Sequence, residues 1–581
     1  MNEEPKSIWK KSWKGPRGLL LTFTVLTVVF FVVSFSAGFV PAPLKNYLGL
    51  PVFSLLFSAC IVLFAFLAIG FIRWVCCWRN FKRFLFGLAC FVTLIALFYA
   101  EEDWRGKHDW EQFKHQWEAK GEKFNFTDFV PPLVPDDQNF ALTPIVASCY
   151  SYILDKNGHQ IQPQDTNVVD RLQMTTIAYL YGGGPPNDTG DWQKSTVSDL
   201  KVWQQYYRVV AAKTNEFPVP AQPQSPAADV LLALSKYDSA IKELRQASQL
   251  PYSRFPLNYD CQPPAEILLP HLAAMKRCSQ VLQLRSIAEL QTGQSEKSLD
   301  DVKLSLRLTD SIYTEPFLIS HLVRMALLQL TLQPVWEGLA EHKWSDKQLG
   351  EFDSEFSKLD ILTDYEFTIR GERALGIADI DFIRRMRELS VMNYTDDGRS
   401  SPSRTIQNVG LHLMPSGWFY QNELAIAQMY QRWILPPAEV KHQIVSPKEV
   451  HRNETNELSR LAFYDVFARM IFPALSPAVK RFAYAKESVD LARVAIALER
   501  YRLAHGEYPE SLAALSPLFM EKIPHDIING QPLHYRRTSD GQFVLYSIGW
   551  NETDDGGEVG LTKDGVVDRD TGDWVWRYPS K

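Results

Sequence analysis

The sequence predicts a mainly α-helical membrane protein: three N-terminal transmembrane helices, an extracytoplasmic helical-hairpin array and a small C-terminal α+β module. Three observations carry that reading. Charge-free apolar runs fill much of the first 100 residues, helical periodicity recurs through the middle, and turn-bounded β-type segments close the chain. With 581 residues, 46% hydrophobic and 22% charged, the chain suits several folded units and is not globally disordered.

The apolar runs are "GLLLTFTVLTVVFFVVSFSAGFV" (18–40), "PVFSLLFSACIVLFAFLAIGFI" (51–72) and "FLFGLACFVTLIALFYA" (84–100). A membrane crossing needs about 20 apolar residues, with a lower limit near about 17, so the third run is the shortest that serves. The first is too long for a cleaved signal peptide. Residues 1–83 hold ten Lys or Arg against Glu3 and Glu4, concentrated before residue 18 and in the loop 73–83. Positive loops stay inside, which predicts a multi-pass protein of the cell inner membrane with a cytoplasmic N-terminus and residues 101–581 extracytoplasmic. Tyr99, Trp104 and Trp110 are placed as interfacial anchors.

That basic end contributes +8 to a net charge of −6, so the rest of the chain carries −14. Phosphate backbones are bound by clustered Lys and Arg, and an acidic body excludes nucleic acid as a partner.

The chain divides into an anchor (1–100), a juxtamembrane helix and proline-rich connecting region (101–228), a helical-hairpin array (229–395), a loop and helical region (396–484) and the α+β module (485–581). In 103–120, Trp110, Phe113 and Trp117 share one helix face. His108, Glu111 and His115 share another, where a solvated polar face outweighs a metal site because the spacing is not HExxH. In the array, Gly293 suits a helix C-terminus, Pro316 opens the next helix, and Ser345 with Gln348 spells a capping box. Asp310, His321, Arg324, Glu366, Arg370, Glu372 and Arg373 are expected to tie helices together, since buried charges need partners. Outside the membrane runs only Cys149, Cys261 and Cys278 remain, leaving a Cys261–Cys278 disulfide as one pairing open to an oxidising compartment.

Near the end, Gly506 breaks a long helix whose apolar face carries Leu491, Val494, Ala495, Leu498 and Tyr501. "PLHYRR" and "QFVLYSIG" form a hairpin around Asp540-Gly541, and "GDWVWRY" a third strand. The loop "NETDDGG" follows the second strand. Its Asn551, Asp554 and Asp555 offer hard oxygen ligands, and Gly556 and Gly557 let the backbone fold around an ion, the chemistry Ca²⁺ requires.

"YRLAHGEYPESLAAL", "GQPLHYRR" and "FVLYSIGWNETDDGG" resemble the C-terminal globular domain of type II secretion major pseudopilins over residues 485–581. The resemblance implies a calcium loop, with Asp554 and Asp555 as ligands, joined by Asn551 and the Ser547 carbonyl. Pseudopilins start with a cleaved leader and one polymerising helix, so the resemblance here implies a borrowed domain. "WEAKGEKFNFTDFVPPLVPDDQNFALTP", "YSRFPLNYD" and "PSGWFYQNELAIAQMYQRWILP" resemble a family of membrane-anchored proteins from verrucomicrobial and planctomycete bacteria. That resemblance implies an envelope location and supplies no activity.

The chain lacks GxSxG, HExxH, a phosphate loop, a dinucleotide fingerprint and a catalytic Cys-His signature. The leading expectation is a non-enzymatic envelope protein that binds another envelope protein. Two alternatives are a polysaccharide- or peptidoglycan-binding platform built from Trp550, Trp574 and Trp576, and an envelope hydrolase whose carboxylates come from distant segments.

Overall fold

The computed structural model describes residues 78–150, 152–154, 160–163, 171–178, 186, 190–387, 410–457 and 465–579, with isolated positions before 78. The first two expected spans, the loop 181–189 and the segment 395–404 lie outside the described residues. The chain is mainly helical and separates into two compact units, Met1–Glu101 and Glu102–Lys581.

α1 (Trp78–Glu118) is one helix of 41 residues. The sequence predicts a span ending at 100 and a second helix from 103, yet neither proline nor glycine lies between residues 88 and 105, so helix propagation continues across. Its two parts meet different surroundings. Phe86, Phe91, Leu94 and Leu97 are exposed, whereas Trp110 and Phe113 are buried and Trp117 packs beside them, the apolar face expected from their spacing.

Within the larger unit, α2 (Leu200–Ala211), α3 (Pro226–Leu234) and α4 (Asp238–Ala247) precede the array of α5 (Pro270–Gln291), α6 (Ser295–Asp310), α7 (Leu318–Ala340), α8 (Asp346–Phe356) and α9 (Ile361–Met386). The punctuation works as the sequence predicts. Gly293 takes φ +75° after α5 and the Ser345–Gln348 capping box opens α8; Asp360, which the sequence reading did not single out, caps α9. α7 sits between two cores: Leu328, Leu332, Val335 and Trp336 enter one, Leu327 the other.

α10 (Ser416–Met429) crosses α1 with backbone against backbone. A Cβ on Gly106 would fall 2.2 Å from the Gly417 carbonyl oxygen, and one on Gly417 would fall 1.9 Å from that of Glu102. Both positions therefore require glycine for lack of space. Gly417 N donates to Asp103 Oδ1 (2.7 Å) and Trp418 Nε1 to Glu102 Oε2 (2.9 Å), fixing the crossing.

After α11 (Pro447–Glu457), α12 (Val466–His505) runs 40 residues and stops at Gly506, φ +87°. Two short antiparallel pairs, β1 (Tyr152–Leu154) with β2 (Gln160–Pro163) and β3 (Ala438–Glu439) with β4 (Ile444–Val445), come earlier in the chain. β5 (His534–Arg537), β6 (Phe543–Ser547) and β9 (Trp574–Arg577) form an antiparallel sheet in the order β5-β6-β9, with Gly541 at φ +77° in the expected hairpin turn. β7 (Val559–Leu561) and β8 (Val567–Gly572) make a separate hairpin. The sheet packs on α12 and is bound to the array as well. Trp336 Nε1 on α7 donates to the Arg577 carbonyl (3.1 Å), and the Trp192 and Trp576 rings sit 5.2 Å apart. One continuous core thus runs from Trp110 on α1 to Tyr578 beyond β9.

Candidate functional site

The loop after β6 is built around a residue the sequence reading missed. Asp573, only 2% exposed, accepts from Asp555 N (3.2 Å) and Gly557 N (2.6 Å) and so folds the loop back on β9. Burial pushes its carboxyl above the usual range. Its position between Gly572 and Trp574 reads in sequence as the start of a strand, which hides the role.

Asp554 Oδ1 accepts from Gly556 N (2.9 Å) and from the Tyr546 hydroxyl (3.1 Å), and His534 Nδ1 lies 3.5 Å from Oδ2. The Gly556 amide leads in holding the Asp554 carboxyl below its ordinary value. Asp555 Oδ2 accepts from Asn551 Nδ2 (2.8 Å). The fold therefore gathers Asn551, Asp554 and Asp555 in one exposed turn. The Ser547 side chain is fully buried, and its hydroxyl donates to Asp526 Oδ1 (3.0 Å). Among the described residues no group of three or more His, Cys, Asp or Glu is gathered as for a metal ion. On α1, His108 stacks on Trp104 (5.2 Å) and His115 lies 3.7 Å from Glu118, the solvated face expected of them.

Asp526 anchors the module from inside. Its carboxylate accepts from Ile528 N (2.8 Å) and Ile548 N (3.0 Å) besides Ser547. Glu487 of α12, also buried, accepts from Ile527 N (3.0 Å), and burial together with the nearby Asp526 raises its carboxyl far above the ordinary value.

The aromatic platform is overturned. Trp550, Trp574 and Trp576 are 3%, 3% and 0% exposed, because each indole closes the core between sheet and helices. The disulfide is likewise corrected: Cys261 and Cys278 are free thiols, and Cys278 Sγ lies in the core 3.5 Å from the Leu172 carbonyl it donates to.

The charged residues of the array tie helices, as expected. Arg373, fully buried, donates to Glu122 Oε2 (2.8 Å) and the Lys123 carbonyl (2.6 Å), and Arg370 pairs with Glu122 (3.2 Å) and Glu366 (2.9 Å). Arg324 bridges Asp310 and Asp364. Glu372 accepts from Leu318 N (2.9 Å). His321 Nε2 meets the Glu315 carbonyl (3.0 Å), and burial, seconded by Arg324, drops its pKa to about 3, so the ring stays neutral.

A cleft of about 250 Å³ opens between the segment preceding α2, α5 and α7. Gln280 and Gln283 face it from α5, Gln329 and Gln333 from α7, with Trp192 and Trp203 as walls. The Gln333 carboxamide is held at both ends: Oε1 accepts from Trp192 N (2.6 Å), while Nε2 donates to Glu337 Oε1 (2.8 Å). Glu337 Oε1 also accepts from Ser198 N (3.0 Å) and Oγ (2.7 Å). Burial nonetheless pushes the Glu337 pKa to about 7. Nothing in the local sequence marked this cleft, because glutamines three and four apart on a helix read as an ordinary polar face.

No family model matches the chain, and neither a curated protein nor a solved structure resembles it significantly.

Proposed function

We propose that the protein is a non-enzymatic, multi-pass anchor of a bacterial inner membrane whose residues 101–581 lie outside the cytoplasm and bind another envelope protein. One observation carries the reading. α1 is long and apolar enough to cross a membrane, and 0% of its most apolar stretch is buried within the protein. Exposed apolar helix surface of that length is stable only when lipid covers it. The basic segments before residue 18 and at 73–83 set the orientation. A reporter active only in the cytoplasm, fused after Lys581, should be silent, and one active only outside should work. The reverse result refutes the orientation.

The C-terminal module is the interaction element of this proposal, pseudopilin-like and secretion- or cell-surface-related. Its support is the order long helix, short helix and three-stranded sheet, together with the exposed turn that gathers Asn551, Asp554 and Asp555. Calcium is the cation proposed there, bound through Asp554 and Asp555 with Asn551 and the Ser547 carbonyl. Thermal unfolding of the full chain in detergent, with Ca²⁺ and with chelator, tests it. A Ca²⁺-dependent rise that Asp554→Ala with Asp555→Ala abolishes supports the site, and an unchanged midpoint removes it.

A further inference from the structure

We infer that the glutamine-lined cleft binds a neutral, hydroxyl-rich ligand the size of a single sugar ring. Three half-buried carboxamides define its chemistry, those of Gln280, Gln283 and Gln329, since Gln333 is buried and held at both ends. Gln280 and Gln283 stand three apart on α5, and Gln329 and Gln333 four apart on α7, so each pair shares a helix face and both pairs border one space. A carboxamide presents a donor and an acceptor side by side, and a hydroxyl both donates and accepts, so the two are complementary.

Two donors at the cleft have no hydrogen-bond partner: Nε2 of Gln329 and Nε1 of Trp192. Trp192 is only 3% exposed, and a buried donor left without a partner is destabilising. Gln329 Oε1 accepts from Gln193 Nε2 (3.3 Å), while its own Nε2 has no partner.

Charge excludes the other ligand classes. Among the described residues no Lys, Arg or His lines the cleft, so a phosphate or carboxylate finds no counter-ion there. Asp191, the one acidic lining residue among those described, has Lys194 Nζ 3.5 Å from its carboxylate, and the adjacent Glu337 oxygen already accepts three hydrogen bonds. An organic cation is therefore not favoured either. A hydrocarbon chain would strand the glutamines unsolvated. A space of about 250 Å³ accommodates one ring.

The test uses the full chain in a detergent without a sugar headgroup, titrated by calorimetry with glucose, N-acetylglucosamine, glycylglycine and inorganic phosphate. One sugar should bind saturably with a Kd of roughly millimolar, as suits a single ring with few anchoring contacts. Gln280→Ala with Gln283→Ala should weaken that binding at least about tenfold while leaving the thermal midpoint unchanged, because both side chains are half-buried at the cleft rim. Absence of saturable sugar binding overturns the inference. So does equal binding by the double variant, or binding of the dipeptide or phosphate alone.

Discussion

α1 and α7 are both long and apolar enough to cross a membrane, and they sit in opposite environments. In α7, 67% of the most apolar stretch is buried, whereas the figure for α1 is 0%. The difference lies in their polar residues. α7 carries His321, Arg324, Gln333 and Glu337 along its length, and each has a protein partner: Glu315, Asp310 and Asp364, Trp192 and Ser198 respectively. In lipid those partners would be missing, and a charged side chain at the centre of the bilayer is costly. The apolar half of α1 has no charge over residues 84–100 and needs no such partners. Hydropathy alone therefore does not separate a core helix from a span; the fate of its polar groups does.

Truncation should expose that contrast most strongly. Trp336→Ala removes a fully buried indole from α7 together with its bond to Arg577, and should destabilise the larger unit by about 3–5 kcal/mol, measured by denaturant unfolding in detergent. Leu94→Ala on the 65% exposed face of α1 should change the same measurement by less than about 0.5 kcal/mol. Equal effects would erase the distinction between the helices.

Polar insertion should act the other way round. Leu94→Arg should impede membrane integration by about 2.5–3.5 kcal/mol, read as the fraction extracted by alkaline carbonate, without loosening the larger unit. Removing a charge from the body is the counterpart. Glu122→Ala leaves the buried Arg373 guanidinium short of its carboxylate and should cost about 3–5 kcal/mol. A neutral outcome would mean that Gln431 and the Lys123 carbonyl suffice to hold Arg373.

A pH series tests the polar side of α7. The Glu337 pKa is raised to about 7 from 4.5, so its folded form favours the proton. The associated stability is complete below the unfolded value and is lost as the pH rises through about 7. Glu337→Gln should flatten that part of the pH–stability curve, leaving wild type and variant closer at acid pH than at mildly alkaline pH. A thermal-unfolding series across that range checks the sign.

Much of the local structure was legible in the sequence because it rests on neighbours in the chain. Gly293 and Gly506 adopt positive φ where the helices end, and Ser345 and Gln348 cap α8 reciprocally. The Asp540-Gly541 hairpin forms in the expected place. The candidate cation turn was half legible: Asn551, Asp554 and Asp555 come together, while Ser547 faces Asp526 and the organising Asp573 went unseen. Asp573 lies 18 residues from Asp555, and no period or motif links the two.

The sequence by itself determined the ends of α5 and α12, the start of α8 and the hairpin turn, since capping and turn chemistry act within a few residues. It also determined the charge-free apolar stretch of α1, which lies within consecutive residues. Tertiary structure alone decided that α7 is a core helix, that Trp574 and Trp576 are closed against α12 and α7, and that Gly106 and Gly417 must meet without side chains. It also brought four glutamines from two helices around one cleft. Each of these depends on groups distant in the chain, and burial is a property of the neighbours a residue acquires on folding, not of the residue itself.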